Sequence, residues 1–476
     1  MRMGKIVCTI GPACDSLEML KTLMQNGMDV ARLNFSHGTP EQHLEILNNI
    51  KEARKQLGKN VGIMADFQGP KIRCGWFEKN ADGKDEVYLE KGQDFFITSD
   101  EIVGNKEGVS CTYKDLPKDV KPGDVLLLND GLVRLEVKGV EGNKILTRVI
   151  TPGFLSSHKG INLPGVAISS PALTQKDEED LNWALDHGVD MIALSFIRKG
   201  SDLDPAKKIM EEKGCVLPII VKMEKPEAIE NMEEIVKACE GIMCARGDLA
   251  VELPFWQVPI INKKLITMSR YYAKPVIMAT EMLSSMINNP LPTRAETSDC
   301  ANAILDGCDS TMTSNETAVG SDPARVVEAM AKISEYTSDH GSSYIPSVKP
   351  RENNGQEALS FAALPAAYAR KAKAIVVLSS SLDSVASIAK FRPSIPIYAF
   401  TPDEEIYYQL SLYWGTFAVF SPDLLYPSRD LFLKVDEKLK SLFGLSKGDR
   451  VLIETIENET QAFGPGSGAI FDHVIS

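Results

Sequence analysis

The chain has 476 residues, 43% of them hydrophobic and 25% charged, with a formal net charge of −13 and a sequence pI near 5.2. That length asks for two to four domains, and the apolar content can fill large cores. The acidic field repels polyanions, so no nucleic-acid partner is expected, and an anionic substrate would need a local basic cluster. No stretch nears the roughly 18 apolar residues of a membrane helix, and the start at Met1 runs into Lys5–Ile10 with no leader-type apolar core. Nine cysteines, an odd number without a CxxC pair, read as reduced thiols, so the expected location is the cytoplasm.

Along the chain, short apolar and mostly β-branched runs occur at 5–10, 30–35, 61–67, 191–196, 218–223, 241–245, 275–279 and 309–313. Between most of them lie segments with helical spacing, at 16–26, 41–57, 177–186, 227–239 and 323–336. Eight buried-type strands separated by helices predict an α/β protein with a closed parallel (β/α)8 TIM barrel. A doubly wound open sheet is the alternative reading. The rhythm breaks once, over 74–160, where Val133, Leu135 and Val137 alternate with charged residues and Glu141-Gly142-Asn143 marks a turn. This predicts a small β-barrel lid domain inserted after the third barrel strand, over the carboxyl mouth where barrel active sites form. The barrel then comprises 1–73 and 161–345. A Pro- and Asn-rich linker near 345–355 leads into a C-terminal α/β domain over 346–476.

In such a barrel the catalytic candidates stand at the carboxyl ends of the strands. Those ends carry Arg32 to His37, Asp66 to Arg73, Ser195 to Lys199, Lys222 to Glu224, Arg246 to Asp248, and Thr280-Glu281. Glu224 and Asp248, on neighbouring strands, can hold one hard divalent cation with positions left for substrate oxygens. Arg32, Arg73, Lys199 and Lys222 supply the basic cluster that the acidic chain needs. A cation site with converging Arg and Lys suits phosphoryl transfer, which asks for positioning and charge spreading more than for a nucleophile. Each feature alone has a plain structural reading, as salt bridge or helix cap. The convergence at neighbouring strand ends carries the inference.

The segments KIVCTIGPA, ARLNFSHG, ADFQGPKIR, KGINLPG, SFIRK, VKME, ARGDLAVELP, MATEML, NPLPTRAE and SNETAVG resemble, in this order, those of pyruvate kinases. The resemblance implies phosphoryl transfer from phosphoenolpyruvate to ADP in glycolysis, with Mg²⁺ or Mn²⁺ on Glu224 and Asp248. It further implies that Lys222 stabilises the transferring group, and that Gly247, Asp248 and Thr280 receive the substrate carboxylate. By the same resemblance Arg32 and Arg73 meet phosphates, while Asn34, His37 and Lys199 stand near the nucleotide. Asp130 matches an acid on the lid, and Thr280 lies on the proton path to the enolate.

Some positions depart from the commoner pattern. Lys71 stands where the potassium-requiring type has a glutamate, beside Asn34, Ser36 and Asp66, which would otherwise surround K⁺. The expectation is therefore activity without K⁺. Glu281, Ala250, Asn315 and Leu291 also differ. The loop Ser379-Ser380-Ser381-Leu382-Asp383-Ser384 keeps hydroxyls at Ser379, Ser381 and Ser384 but replaces a glycine of the family's effector loop, and residues 457–468 form the opposing loop. A phosphorylated effector and a homotetramer are carried over from the family. A different phosphoenolpyruvate- or pyruvate-using barrel, or a relative that only binds an effector, remain the competing readings.

Overall fold

The computed structural model describes residues 1–80, 82–166, 168–422, 430–455 and 468–476. Eight parallel strands close into a barrel: Lys5–Ile10, Val30–Asn34, Gly62–Asp66, Met191–Leu194, Ile219–Met223, Gly241–Ala245, Val276–Ala279 and Ser310–Thr313. Below they are called strands one to eight. Strand one pairs with strand two on one side and strand eight on the other, so the ring has no free edge. Nearly every strand residue is buried, because one face fills the lumen and the other packs under helices.

Local signals explain where helices begin. Thr39, Thr174 and Thr293 each cap a helix through the side chain and donate a reciprocal backbone N–H bond to the side chain three positions on, Gln42, Asp177 and Glu296. One expected helix divides. Residues 227–239 form Pro226–Glu230 and Met232–Ala238, because Asn231 leaves helical geometry and its amide donates to the Arg198 carbonyl at 2.9 Å.

The inserted segment holds a six-stranded sheet and a two-stranded ribbon around one apolar core. Strands Val133–Glu141 and Lys144–Thr151 form the hairpin read from the alternating pattern, with Gly142 at φ 59° in the turn. Most pairings are antiparallel, but Asp94–Thr98 and Gly108–Ser110 run parallel. The two legs of the insertion meet in an isolated Arg73–Gly160 bridge. The C-terminal unit is a five-stranded sheet in which only Ala469–Val474 runs antiparallel. Lumen residues Val7, Met64, Ile220 and Ile277 share one apolar cluster with Leu410, Leu412 and Trp414, so this unit stoppers the amino end of the barrel. The opposite, carboxyl mouth is left for chemistry.

Candidate functional site

Strands two, three and five carry a buried charge relay. Arg32 donates from Nε to Asp66 Oδ2 at 2.6 Å and from Nη1 to Thr9 Oγ1 at 2.8 Å. Asp66, 1% exposed, also lies 3.4 Å from the Lys222 ammonium. Lys222 donates to Ser195 Oγ at 2.8 Å, and Ser195 in turn donates to the Phe67 carbonyl at 2.6 Å. Burial alone would raise the Asp66 carboxyl, but Arg32 and Lys222 outweigh it and hold the group below its ordinary value. Burial would likewise lower Lys222, yet Asp66 and Glu224 keep its ammonium above the usual lysine range. The lysine is therefore a permanent cation. Gly69 lets the neighbouring loop pass: at φ 67°, a Cβ there would lie 2.8 Å from the Phe196 ring and 2.9 Å from Ser195.

Glu224 accepts the Phe196 backbone N–H at 2.8 Å through Oε1, while its buried Oε2 has no hydrogen-bond partner. The Lys222 ammonium stands 3.6 Å from that oxygen but is shared with Asp66. Burial, reinforced by Asp248 and only partly offset by Lys222, pushes the Glu224 carboxyl up to about 7. A buried carboxylate oxygen without a donor, with a second carboxylate near, fits a hard divalent cation. Among the described residues no group of three or more His, Cys, Asp and Glu gathers as a metal cage. A cation here would take two protein carboxylates and leave its other positions open.

The structure places Lys71 on Asp248. Its ammonium is 3.2 Å from Asp248 Oδ1, rather than on Asp66, whose charge is already answered by Arg32 and Lys222. Asn34 Oδ1 accepts the Ser36 backbone N–H at 3.2 Å, so these two neighbours remain together at the end of strand two.

Strand seven ends in strain. Thr280 and Glu281 adopt φ 68° and 54°, a left-handed conformation that costs a β-branched residue about 1–3 kcal/mol. Arg246 holds them there. Its Nε donates to the Ala279 carbonyl at 3.0 Å and its Nη2 to the Thr280 carbonyl, while Nη1 grips both Asp299 oxygens at 2.9 and 2.6 Å. Thr280 Oγ1 accepts the Gly247 N–H at 2.9 Å, joining strands six and seven at the mouth. Sequence reasoning placed Arg246 and Ser195 at strand ends without a role, and missed Asp299 altogether. Asp299 sits in mid-helix and carries no sequence signal, while Ser195 was visible only by its position after an apolar run.

A cavity of about 990 Å³ opens beside the relay, lined by Thr9, Arg32, Asn34, His37, His43 and Asn315, among others. Burial first, then the positive charges of Arg73, Arg32 and Lys71, push His37 below its ordinary value. Arg73 lies on the lid leg, donating to the His158 carbonyl at 3.2 Å, and Lys199 is exposed; neither lines this cavity. Asp130 is exposed on a lid turn at φ 54°, and a Cβ on its neighbour Gly131 would stand 3.7 Å from Val251. The lid turn thus reaches the helix Arg246–Glu252 that bears Asp248. Below it, Glu252 accepts Lys225 at 2.7 Å and Asn162 of the lid leg at 2.9 Å. In the C-terminal unit Ser379 Oγ donates to the Ser381 carbonyl at 2.9 Å, and the Ser381 and Ser384 hydroxyls meet at 3.1 Å. Of the opposing loop 457–468, only Gly468 is among the described residues.

A half-buried lysine and a buried arginine ringed by carboxylates at the carboxyl mouth of a closed parallel barrel define an enzyme built to handle small anionic substrates. Residues 1–327 match the family described as pyruvate kinase, barrel domain, and residues 357–457 match pyruvate kinase, alpha/beta domain. The pyruvate kinase of Corynebacterium glutamicum is 44% identical over 454 residues, covering 95% of this chain and 94% of its own. That of Mycobacterium tuberculosis is 43% identical with the same coverage, and that of Geobacillus stearothermophilus is 40% identical over 95% of this chain and 77% of its own. The chain belongs to the pyruvate kinase family. No helix among the described residues is long and apolar enough to cross a membrane.

Proposed function

We propose that the protein transfers the phosphoryl group of phosphoenolpyruvate to ADP, with Mg²⁺ or Mn²⁺ held by Glu224 and Asp248. The observation that carries this reading is the Lys222 ammonium, fixed 3.4 Å from Asp66 and 3.6 Å from Glu224 beside an unpartnered carboxylate oxygen. The metal would supply positive charge for phosphoryl and carboxylate oxygens. Lys222 offers a fixed N–H donor to the group in flight, already charged and needing no reorganisation. Arg32, anchored by Asp66 and Thr9, meets the same group from strand two. Gly247, Asp248 and Thr280 line the seat for the substrate carboxylate. Thr280 Oγ1 stands on the route by which the enolate carbon gains its proton. The nucleotide occupies the cavity beside Asn34 and His37, with Arg73, Lys199 and the lid acid Asp130 approaching as the lid closes.

The protein needs no K⁺ on this reading. Lys71 brings a tethered ammonium to the mouth, where it meets Asp248 rather than the Asn34, Ser36 and Asp66 group, and that contact supports an electrostatic role for it. The working unit is a cytoplasmic homotetramer with a barrel of 1–73 and 161–345, a lid of 74–160 and an effector-type domain of 346–476. The Ser379, Ser381 and Ser384 hydroxyls suit a monophosphorylated sugar better than a bisphosphate, because Asp383 adds negative charge beside them. Coupled detection of pyruvate and ATP tests the central claim. Pyruvate formed from phosphoenolpyruvate without ADP, or no turnover with Mg²⁺ present, would overturn it.

A further inference from the structure

A second cavity, of about 180 Å³, lies between the barrel and the C-terminal unit, lined by Lys274, Arg351, Asn354, Gln356, Asp383 and Ser387, with Tyr272 and Ala273 at its edge. It is remote from the catalytic mouth. Lys274 precedes strand seven at its amino end, whereas Thr280 follows the carboxyl end. It also differs from the Ser379–Ser384 hydroxyl cluster, which sits at the start of helix Leu382–Ala389, while Ser387 lies one turn further along that helix.

Three side chains at this cavity keep unspent hydrogen-bond donors. The Lys274 side chain makes no ion pair or hydrogen bond among the described residues. The Gln356 side-chain Nε2 is buried without an acceptor, an arrangement that costs about 1–3 kcal/mol unless something fills it. Arg351 spends its Nε and backbone N–H on Glu357, both at 2.7 Å, leaving its two terminal guanidinium nitrogens. Asn354 caps helix Gly355–Ala369 and Gln356 sits in its first turn, where the helix dipole adds positive potential.

The charges around the cavity sum to an excess of cation. Glu357, fully buried, is shared by Arg351 and the equally buried Lys390 at 2.5 Å, so its charge is spent inside the wall. Arg270 packs behind, donating to the Lys390 carbonyl at 3.3 Å. Asp383 is the one carboxylate lining the cavity. It disfavours a bare dianion but accepts a hydrogen bond from a hydroxyl.

We propose that this cavity is a binding site for a small hydroxylated oxyanion, a three-carbon-sized phosphate or carboxylate. The oxyanion end meets Lys274, Arg351 and the Gln356 amide, and a hydroxyl donates to Asp383. A volume of about 180 Å³ suits a ligand of that size. Such a ligand joins the barrel to the helix that carries the hydroxyl cluster, independently of which reaction the mouth performs.

Titration calorimetry and thermal unfolding of the full chain test this, with sn-glycerol 3-phosphate, L-malate and inorganic phosphate as probes at up to about 10 mM. Binding heat and a rise in Tm of about 2–4 °C are expected with glycerol 3-phosphate or malate, and a weaker response with inorganic phosphate. A response to glycerol 3-phosphate alone assigns a phosphate ligand, and to malate alone a carboxylate. Lys274→Ala and Gln356→Glu should each abolish the response while leaving ADP-dependent turnover within about twofold. Lys222→Met, which disables the mouth, should leave the response intact, as should Ser384→Ala at the hydroxyl cluster. No response to any of the three probes overturns the proposal. So does a response that survives in both Lys274→Ala and Gln356→Glu.

Discussion

Arg246 grips Asp299 through both carboxylate oxygens, at 2.9 and 2.6 Å, and with its remaining nitrogens fixes the carbonyls of Ala279 and Thr280. The pair acts as a clamp on a strained loop. Without it, Thr280 at φ 68° would relax toward ordinary backbone and withdraw its hydroxyl from Gly247. Asp299→Ala is expected to lower kcat by roughly 10²-fold with a smaller change in KM, since a displacement of about 1 Å at reacting groups costs that much. Asp299→Asn, which still accepts from the guanidinium, should lose less. Equal losses in the two variants, measured by steady-state pyruvate formation, would show that charge rather than geometry is what matters there.

Lys222→Met removes the cation between two buried carboxylates. Turnover is expected to fall by at least ~10³-fold, as for loss of a preorganised transition-state donor. The fold should survive, because Asp66 retains Arg32 at 2.6 Å. Glu224→Gln should be as inactive and also lose tight Mn²⁺ binding, read by water-proton relaxation. Mn²⁺ affinity unchanged in Glu224→Gln would remove this residue from the metal site.

Wild-type enzyme should run at full rate in buffer free of K⁺ and Na⁺. Lys71→Glu restores the residue of the potassium-requiring type and places a second carboxylate beside Asp248. Activity in that variant should fall about tenfold or more without K⁺ and recover when K⁺ is added. Strong K⁺ stimulation of the wild type would contradict the electrostatic role given to Lys71.

Glu454 is buried on the C-terminal sheet, with Oε1 accepting Ser360 Oγ at 2.7 Å and Oε2 unpartnered. Burial, only partly offset by Ser360, pushes its carboxyl from 4.5 up to about 7. The folded state therefore binds the proton more tightly than the unfolded chain. Stability from this group is complete below pH ~4.5 and is lost as pH rises through about 7. The loss reaches about 3 kcal/mol at most. Glu454→Gln should raise the unfolding midpoint of the C-terminal unit at pH 8 and leave it nearly unchanged at pH 5. Equal effects at both pH values would mean that packing, not ionisation, governs the site.

How much of this was readable beforehand follows from how local each signal is. Strands such as Lys5–Ile10 and Ala374–Leu378 coincide with their apolar runs, because burial on both faces writes itself directly into composition. Thr174 and Asp177 announce their helix through a contact three residues apart. Asn231, by contrast, breaks a helix by bonding to Arg198, 33 residues away, and nothing in residues 227–239 signals that. At the mouth the same division holds. Glu224 and Lys222 stand out as charges at a strand end, but the Lys71 contact with Asp248 spans 177 positions and depends on which carboxylate is already satisfied. Arg246 was visible only as a position; its purpose exists once Asp299 and the left-handed Thr280 are brought to it.

The closed ring also has a history in the life of the chain. Strand one finds its second neighbour only at Ser310, which pairs with Lys5. At a synthesis rate of about 5–20 residues per second, the first strand waits roughly 15 to 60 s with one edge bare. During that interval the insertion emerges whole, and its hairpin of Val133–Glu141 with Lys144–Thr151 pairs strands that are close in sequence. The ribosome therefore delivers all of the insertion before the barrel can close. The half-made barrel, with its unpaired strand edge, is the stage at which nascent chains are most exposed to misassociation and to chaperones.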